Sequence, residues 1–467
     1  MRVFGPGFHR SGRAPVTTDL LPRRIGLYAA TAVTIGSIVG SGIFRSPHSV
    51  AQELPSAPLM VLAWIVGGLL SMCGSLVLAE LAVVHPRTGG LYVFIREAFG
   101  NRLGFVFGWA SLSVIKPTVI AAITSVFAIY FCTAVGLPES ARLPAGLAAI
   151  LVLTFINWLG VKQGAGTQTL LTTAKVIGIG GLCFAAFFLP HGGPASDAPA
   201  AVAAGAAGHP LLLAFVVAMI PILFAYDGWT DSTYVAGEIV NPRRAMPIAI
   251  LLGTLIVITI YVLTNLAYFA VLSPGDVATY EAVGSETIRR ILGEWGSRAL
   301  AVLVAVSTFG TISASILTGP RVTLAMAADG LFWKPAAHVS RRGTPDFALW
   351  LQAGLAGIWL WCAQGFEDVS GWFVTTSWLF YGITIGAIFV LRRGKRAGAP
   401  DAGAADAGAE PGGYRTPLYP LTPILFILVT LVLIASDLAS SGWRAGAGVA
   451  IASVGFLLYP LFIRRKR

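Results

Sequence analysis

Between residues 36 and 42 the chain reads Gly36-Ser37-Ile38-Val39-Gly40-Ser41-Gly42, in the middle of an apolar run from 25 to 50. A run of that length can cross a bilayer, which takes roughly 20 residues. Glycine and serine at five of the seven positions are poor material for a continuous lipid-facing helix. Backbone that unwinds at such depth survives only where protein buries it or where it lines a cavity. The N–H and C=O groups it frees are then available to a small solute. The spacing of Gly36 and Gly40 also suits simple close packing of two helices. A second interruption, Phe224-Ala225-Tyr226-Asp227-Gly228-Trp229-Thr230-Asp231, breaks an apolar run that begins near 211. A carboxylate at that depth is costly and faces a cavity or a partner, so Asp227 either lines a site or hydrogen-bonds a neighbouring helix. Lys175 is the third pointed residue. It sits inside a run from 167 to 189, roughly 12 Å deep at 1.5 Å per residue, which is deep for a lysine to reach the surface.

The elements that must position these residues follow from composition. Of 467 residues, 56% are hydrophobic and 11% charged, against roughly 25% charged in soluble domains. Twelve apolar runs succeed one another, at 25–50, 59–84, 103–135, 145–159, 167–189, 211–235, 247–272, 299–327, 347–363, 371–391, 420–435 and 445–463. The chain is expected to be an all-α polytopic membrane protein with twelve transmembrane helices. The interruptions fall in the first and sixth runs, the opening helices of two five-span halves. Matched breaks of this kind point to a transporter built as a 5+5 inverted repeat, with its site at the repeat interface.

The net charge of +11 could suggest nucleic acid, but its distribution argues for a topology device. With the N-terminus inside, most Lys and Arg fall in cytoplasmic segments, including Arg464-Arg465-Lys466-Arg467. Outer loops then hold Arg45, Arg142, Arg289, Arg290, Arg298 and Arg444, while Lys116, Lys175 and Arg321 fall within spans. This is the positive-inside pattern, with both termini cytoplasmic. No nucleic-acid partner is expected. No 7–15-residue apolar region precedes residue 20, so the first span rather than a cleavable leader directs insertion. Cys73, Cys132, Cys183 and Cys362 lie in apolar runs without paired spacing. They read as buried thiols, neither a disulfide frame nor a metal site. No metal or cofactor is implied. The Ala/Gly/Pro-rich stretches 191–208 and 394–413 read as flexible linkers. The domain reading is a cytoplasmic tail 1–24, a transport core 25–393, a linker 394–413, and a segment 414–467 with the last two spans and a basic tail.

Gly36-Ser37-Ile38-Val39-Gly40-Ser41-Gly42-Ile43-Phe44 resembles the first-helix signature of the amino acid–polyamine–organocation superfamily of permeases. Phe224-Ala225-Tyr226-Asp227-Gly228-Trp229, then Gly237-Glu238-Ile239-Val240-Asn241-Pro242-Arg243-Arg244 and Pro247, are similar to its sixth helix and inner loop. The resemblance extends through Glu80-Leu81, Pro86 with Gly89-Gly90 and Tyr92, Lys116-Pro117-Thr118, Thr173-Ala174-Lys175, Phe309-Gly310, Arg321 and Asp329-Gly330. It covers the first ten spans and is nearest the L-type amino acid transporter branch and its bacterial relatives. That branch implies ten core helices in two inverted repeats, with helices one and six broken, plus two peripheral helices.

The resemblance also implies roles. A substrate carboxylate would meet backbone N–H groups of Ser41 and Gly42, with Gly40 and Gly42 allowing close approach. Its ammonium would meet carbonyls of Ile38, Phe224, Ala225 and Asp227, and the Phe224 ring would cover it as an outer gate. Lys175 would reach spans one and eight, where sodium-coupled relatives hold their ion, either as a fixed charge or as a proton carrier. Lys116, Trp229 and Ser313 are possible supporting residues; Lys116 before its proline also suits a purely structural role. Asp227 stands where many L-type members have a small residue, and Ser313 where eukaryotic members often have asparagine. The outer loop 136–143 lacks the cysteine that links animal members to a heavy chain, so no disulfide-linked partner is expected. The function expected is sodium-independent exchange of neutral L-amino acids by alternating access, in a bacterial inner membrane. Proton symport through Lys175, or carriage of cationic amino acids or polyamines, is the alternative. A channel would need a continuous pore lined by rings of charge or carbonyls, and no Ser/His/Asp, paired-His or phosphate-cradling constellation suggests an enzyme.

Overall fold

A computed structural model describes residues 25–85, 89–159, 165–193, 210–340, 344–363, 365–396, 414–441 and 443–463. The tail 1–24, most of both linkers, Pro86 and the basic residues 464–467 lie outside the described residues. What is described is nearly all helix. The only β pairing among the described residues is a single bridge between Ile25 and Ile239.

The chain opens with α1 (Leu27–Ile38) and α2 (Gly42–Glu53), in line but separated by an unwound turn, and returns through α3 (Ala57–Val84). After the short α4 (Leu91–Phe99), α5 (Asn101–Ala110) runs through a wide π turn at Ser111–Ile115 into α6 (Lys116–Val135). Then come α7 (Arg142–Trp158), α8 (Ala165–Phe188) and α9 (Leu211–Ala225). After a second break and a 3₁₀ segment Asp231–Glu238, α10 (Pro242–Val271) follows. The short α11 (Pro274–Thr279) leads to α12 (Val283–Thr318), α13 (Pro320–Ala328), α14 (Asp346–Cys362) and α15 (Phe366–Arg396). The chain closes with α16 (Leu421–Ser441) and α17 (Trp443–Ile463). Among the described residues, 8 helical stretches are long and apolar enough to cross a membrane, and three shorter apolar helices join them. Many large apolar side chains remain exposed on the outside, such as Leu212, Trp361 and Leu457, as lipid rather than water requires. The molecule is a multi-pass membrane protein.

Two packed groups frame the interior. In one, α10 lies along α3 and α1, and α2 crosses α9; in the other, α12 and α14 lie along α6, with α7 beside them. α8 touches α1, α10 and α12, and so joins the groups, while α15 carries α16 and α17 on its outer side.

Prolines inside these helices free carbonyls that other elements then satisfy. Pro117 cannot donate to Ser113, and the Trp359 indole donates to that carbonyl at 2.8 Å instead. Pro47 likewise leaves Ile43, whose carbonyl accepts from the Tyr268 hydroxyl at 3.3 Å.

Three sequence readings need correction. Gly36 and Ser37 remain helical, so the first break is only Val39–Ser41. Arg45 is not in a loop: it lies in α2 and is 2% exposed, because carboxylates from elsewhere reach it. The cysteines are free as expected, but only Cys132 is buried; Cys73 and Cys183 are half-buried and Cys362 is exposed on the apolar exterior.

Candidate functional site

The two breaks cross each other at contact distance, and glycine is what lets them. A methyl group on Gly42 would stand 2.4 Å from the Ala225 Cα, and one on Gly228 would stand 2.6 Å from the Ser37 backbone. Gly228 also has φ +113°, a conformation that only glycine takes readily. The crossing thus brings the end of α1, the start of α2 and the end of α9 to one point. Tyr261 of α10 staples it. Its hydroxyl lies 2.8 Å from the Ile38 carbonyl and 3.1 Å from the Ala225 carbonyl, the last residues of the two broken helices. Ile38 also accepts from the Gly40 N–H at 2.8 Å.

A cavity opens beside this crossing, and Ile38, Gly40, Ser41, Gly42, Phe224, Ala225 and Asp227 all line it, with Lys175 and Lys116. Among the first N–H groups of α2, Phe44 donates to the Ser41 carbonyl at 3.2 Å, while those of Gly42 and Ile43 lack an intrahelical partner and sit at the helix's positive end, which favours an anion. Ser41 is 1% exposed, yet its hydroxyl has no hydrogen-bond partner among the described residues. A buried polar group left so is costly, and a bound carboxylate would satisfy it.

Lys175 reaches from α8 into the first break. Its ammonium donates to the Val39 carbonyl at 3.2 Å and to the Thr311 hydroxyl of α12 at 2.7 Å, and the residue is 6% exposed. The Thr311 hydroxyl donates in turn to the Ser307 carbonyl at 3.0 Å. One cation therefore ties α1, α8 and α12 together at the unwound turn.

Asp227 accepts from the Tyr381 hydroxyl of α15 at 2.6 Å. Lys116 lies 3.7 Å from an Asp231 oxygen and 4.9 Å from the centre of the Tyr234 ring. Phe224 packs edge-on against Phe366 at 5.1 Å and Phe373 at 5.8 Å. Above that aromatic layer Arg45 pairs with Glu367 at 2.7 Å and Glu281 at 3.5 Å.

Two expected residues stand apart from the cavity. Trp229 is 1% exposed and packs on Tyr381 and Phe426. Ser313 accepts from the Asn157 side chain of α7 at 3.0 Å, and does not line the cavity. Sequence reasoning missed Tyr261, Thr311 and Tyr381. All three are hydroxyls inside apolar helices, where nothing in one sequence separates a site residue from a packed one.

The family model described as amino acid permease matches residues 25–457. The chain is 32% identical over 450 residues to the serine/threonine exchanger SteT of Bacillus subtilis, covering 96% of this chain and 98% of that protein. It is 31% identical over 458 residues to the mouse b(0,+)-type amino acid transporter 1, covering 96% and 90%. The mouse Asc-type amino acid transporter 1 is 29% identical over 453 residues, covering 94% and 81%.

Proposed function

This chain belongs to the amino acid permease family, and we propose that it is a sodium-independent exchanger of neutral L-amino acids. The observation that carries this reading is the crossing of the two breaks beside a cavity, with a lysine ammonium already bonded to the unwound turn. The substrate carboxylate lies against the Ser41 hydroxyl and the first N–H groups of α2. Its ammonium meets the carbonyl ends of α1 and α9 beside Asp227, and Phe224 closes over it. Lys175 supplies the positive charge that a sodium ion would otherwise bring to the first break, which makes sodium dispensable.

Alternating access then follows from differential binding. Substrate favours whichever arrangement draws α2 and α9 onto it, and so shifts the population between states open to either side. The exchange mode is supported by the name of the Bacillus relative, and neutral cargo by the balance of charges around the cavity. Twelve spans in a 5+5 inverted repeat with α16 and α17 peripheral, cytoplasmic termini and a bacterial inner membrane complete the reading. Proton symport through Lys175 is the second reading, favoured by the burial of its ammonium in a cavity wall.

Thermal unfolding of the purified protein with each of the twenty amino acids tests the substrate class. A ligand at a hundred times its Kd stabilises by about 2.7 kcal/mol. Neutral L-amino acids should raise the midpoint equally in sodium and potassium buffer, and D-isomers should not. Stabilisation that requires sodium, or none by any amino acid, contradicts the proposal.

A further inference from the structure

Lys116 is the first residue of α6, set at the end of the π turn Ser111–Ile115 and just before Pro117. The turn is held by Trp359 on the Ser113 carbonyl and by Thr118 on the Val114 carbonyl at 2.8 Å. The backbone that carries the lysine is thereby held. Its side chain is 13% exposed, lines the cavity, and lies 3.7 Å from an Asp231 oxygen. That is longer than the 2.7–2.9 Å or so of a tight charge-assisted hydrogen bond. The two groups therefore offset each other's field without closing the space between them.

The cavity wall carries two lysines, Lys175 and Lys116, and two aspartates, Asp227 and Asp231. Lys175 is committed to Val39 and Thr311 at the first break. Asp227 is bonded by Tyr381, whose hydroxyl carries no charge. Lys116 is thus the one cation beside Asp231 among the described residues that line the cavity. In a partly desolvated site, charges this close interact far more strongly than in water.

Resting on the amino-acid exchange reading, we propose that Lys116 determines charge specificity: by offsetting Asp231, it keeps cationic side chains out of the cavity. With Lys116 neutral, Asp231 is a carboxylate facing the cavity without a counter-ion, and the ammonium or guanidinium of a cationic amino acid supplies one. With Asp231 neutral, Lys116 is the unpaired charge, and acidic side chains gain.

The test is competition by arginine, lysine, aspartate and glutamate against uptake of a labelled neutral amino acid into preloaded liposomes. Wild type should be poorly inhibited by both classes. Lys116→Gln should become at least tenfold more sensitive to arginine and lysine. Asp231→Asn should move towards aspartate and glutamate, and the double variant should return to the wild-type profile. Lys116→Arg keeps the charge and should keep the selectivity. A lysine that only shapes the π turn would alter rates without changing the ratio of cationic to neutral affinity. Active single variants that keep the wild-type ratio, or a wild type strongly inhibited by arginine, overturn the inference. If Lys116→Gln does not insert, the Asp231→Asn profile decides alone. A wild type that carries no amino acid fails the parent reading instead, and the two failures are distinguishable.

Discussion

Tyr261 and Lys175 hold the start of the same unwound turn through consecutive carbonyls, one through Ile38 and the other through Val39. They do so by different physics, and their variants should differ accordingly. Tyr261→Phe keeps the ring against Trp64 and Tyr226 but removes the donor shared by the Ile38 and Ala225 carbonyls. An unsatisfied buried polar group costs about 1–3 kcal/mol, so the melting midpoint should fall measurably while the protein still inserts. Lys175→Ala removes a cation as well as two hydrogen bonds, and should abolish most transport. Retained full uptake in that variant would mean the ammonium does not stand in for an ion. Lys175 and Asp227 were legible in the sequence because a charge in an apolar run is expensive and demands an explanation. Tyr261, Thr311 and Tyr381 were not: a threonine hydroxyl in an apolar helix commonly bonds its own preceding turn, as Thr311 does with Ser307, and a tyrosine reads as an aromatic packing residue until the partner of its hydroxyl on another helix is known. Ser313 shows the converse: its position along α12 marked it, but its side chain faces α7.

At the scale of elements, the breaks work because helices cross where glycine stands. Gly42 serves the crossing with Ala225, where a methyl group would stand 2.4 Å from the Ala225 Cα; the close approach to a carboxylate proposed above comes second to that. Gly42→Val should therefore separate α2 from α9 and abolish uptake; uptake with a wild-type KM would remove this crossing from the site. On the far side of Phe224, α2 and α15 are held by Arg45 between Glu367 and Glu281. Those glutamates are 49% and 36% exposed, so each pair alone contributes little. Losing both leaves a buried guanidinium without a counter-charge, which is strongly destabilising. Glu281→Gln with Glu367→Gln should lower the melting midpoint by more than the two single changes added together. Outside the spans, α11 is capped reciprocally by Ser273 and Asp276, and Arg290 pairs with the same carboxylate at 3.0 Å. Burial alone would raise the Asp276 carboxyl, but the hydrogen bonds from Ser273 and Arg290 hold it below the usual carboxylate range. A depressed folded value means this stabilisation is full above the unfolded value near 3.9 and is lost as pH falls through the folded one. Asp276→Asn should flatten the acid limb of the stability profile. The two breaks could be read from glycine and aspartate in apolar runs. Their narrowness could not, since Gly36 and Ser37 stay helical under tertiary packing that local propensity does not contain.

For the whole molecule, two helix groups are joined by α8 and α15, and the cavity lies beside the crossing of the two broken helices of the first group. The loop 136–143 holds no cysteine, so the purified chain should transport without a second polypeptide; strict dependence on one would show the site to be incomplete alone. The class was legible because lipid demands long apolar runs; of the twelve runs expected, 8 helical stretches among the described residues are long and apolar enough to cross a membrane, with three shorter apolar helices beside them. The peripheral helices were legible only as two further runs, and their seat on α15 is a property of the packed chain. The measurement that bears most directly on the central claim is uptake of a labelled neutral amino acid by purified protein in liposomes, with sodium replaced by potassium throughout. The account predicts saturable uptake into vesicles preloaded with unlabelled amino acid and little into empty ones, whether or not the outside is acid. Accumulation in empty vesicles driven by an acid exterior, or uptake that requires sodium, would contradict it.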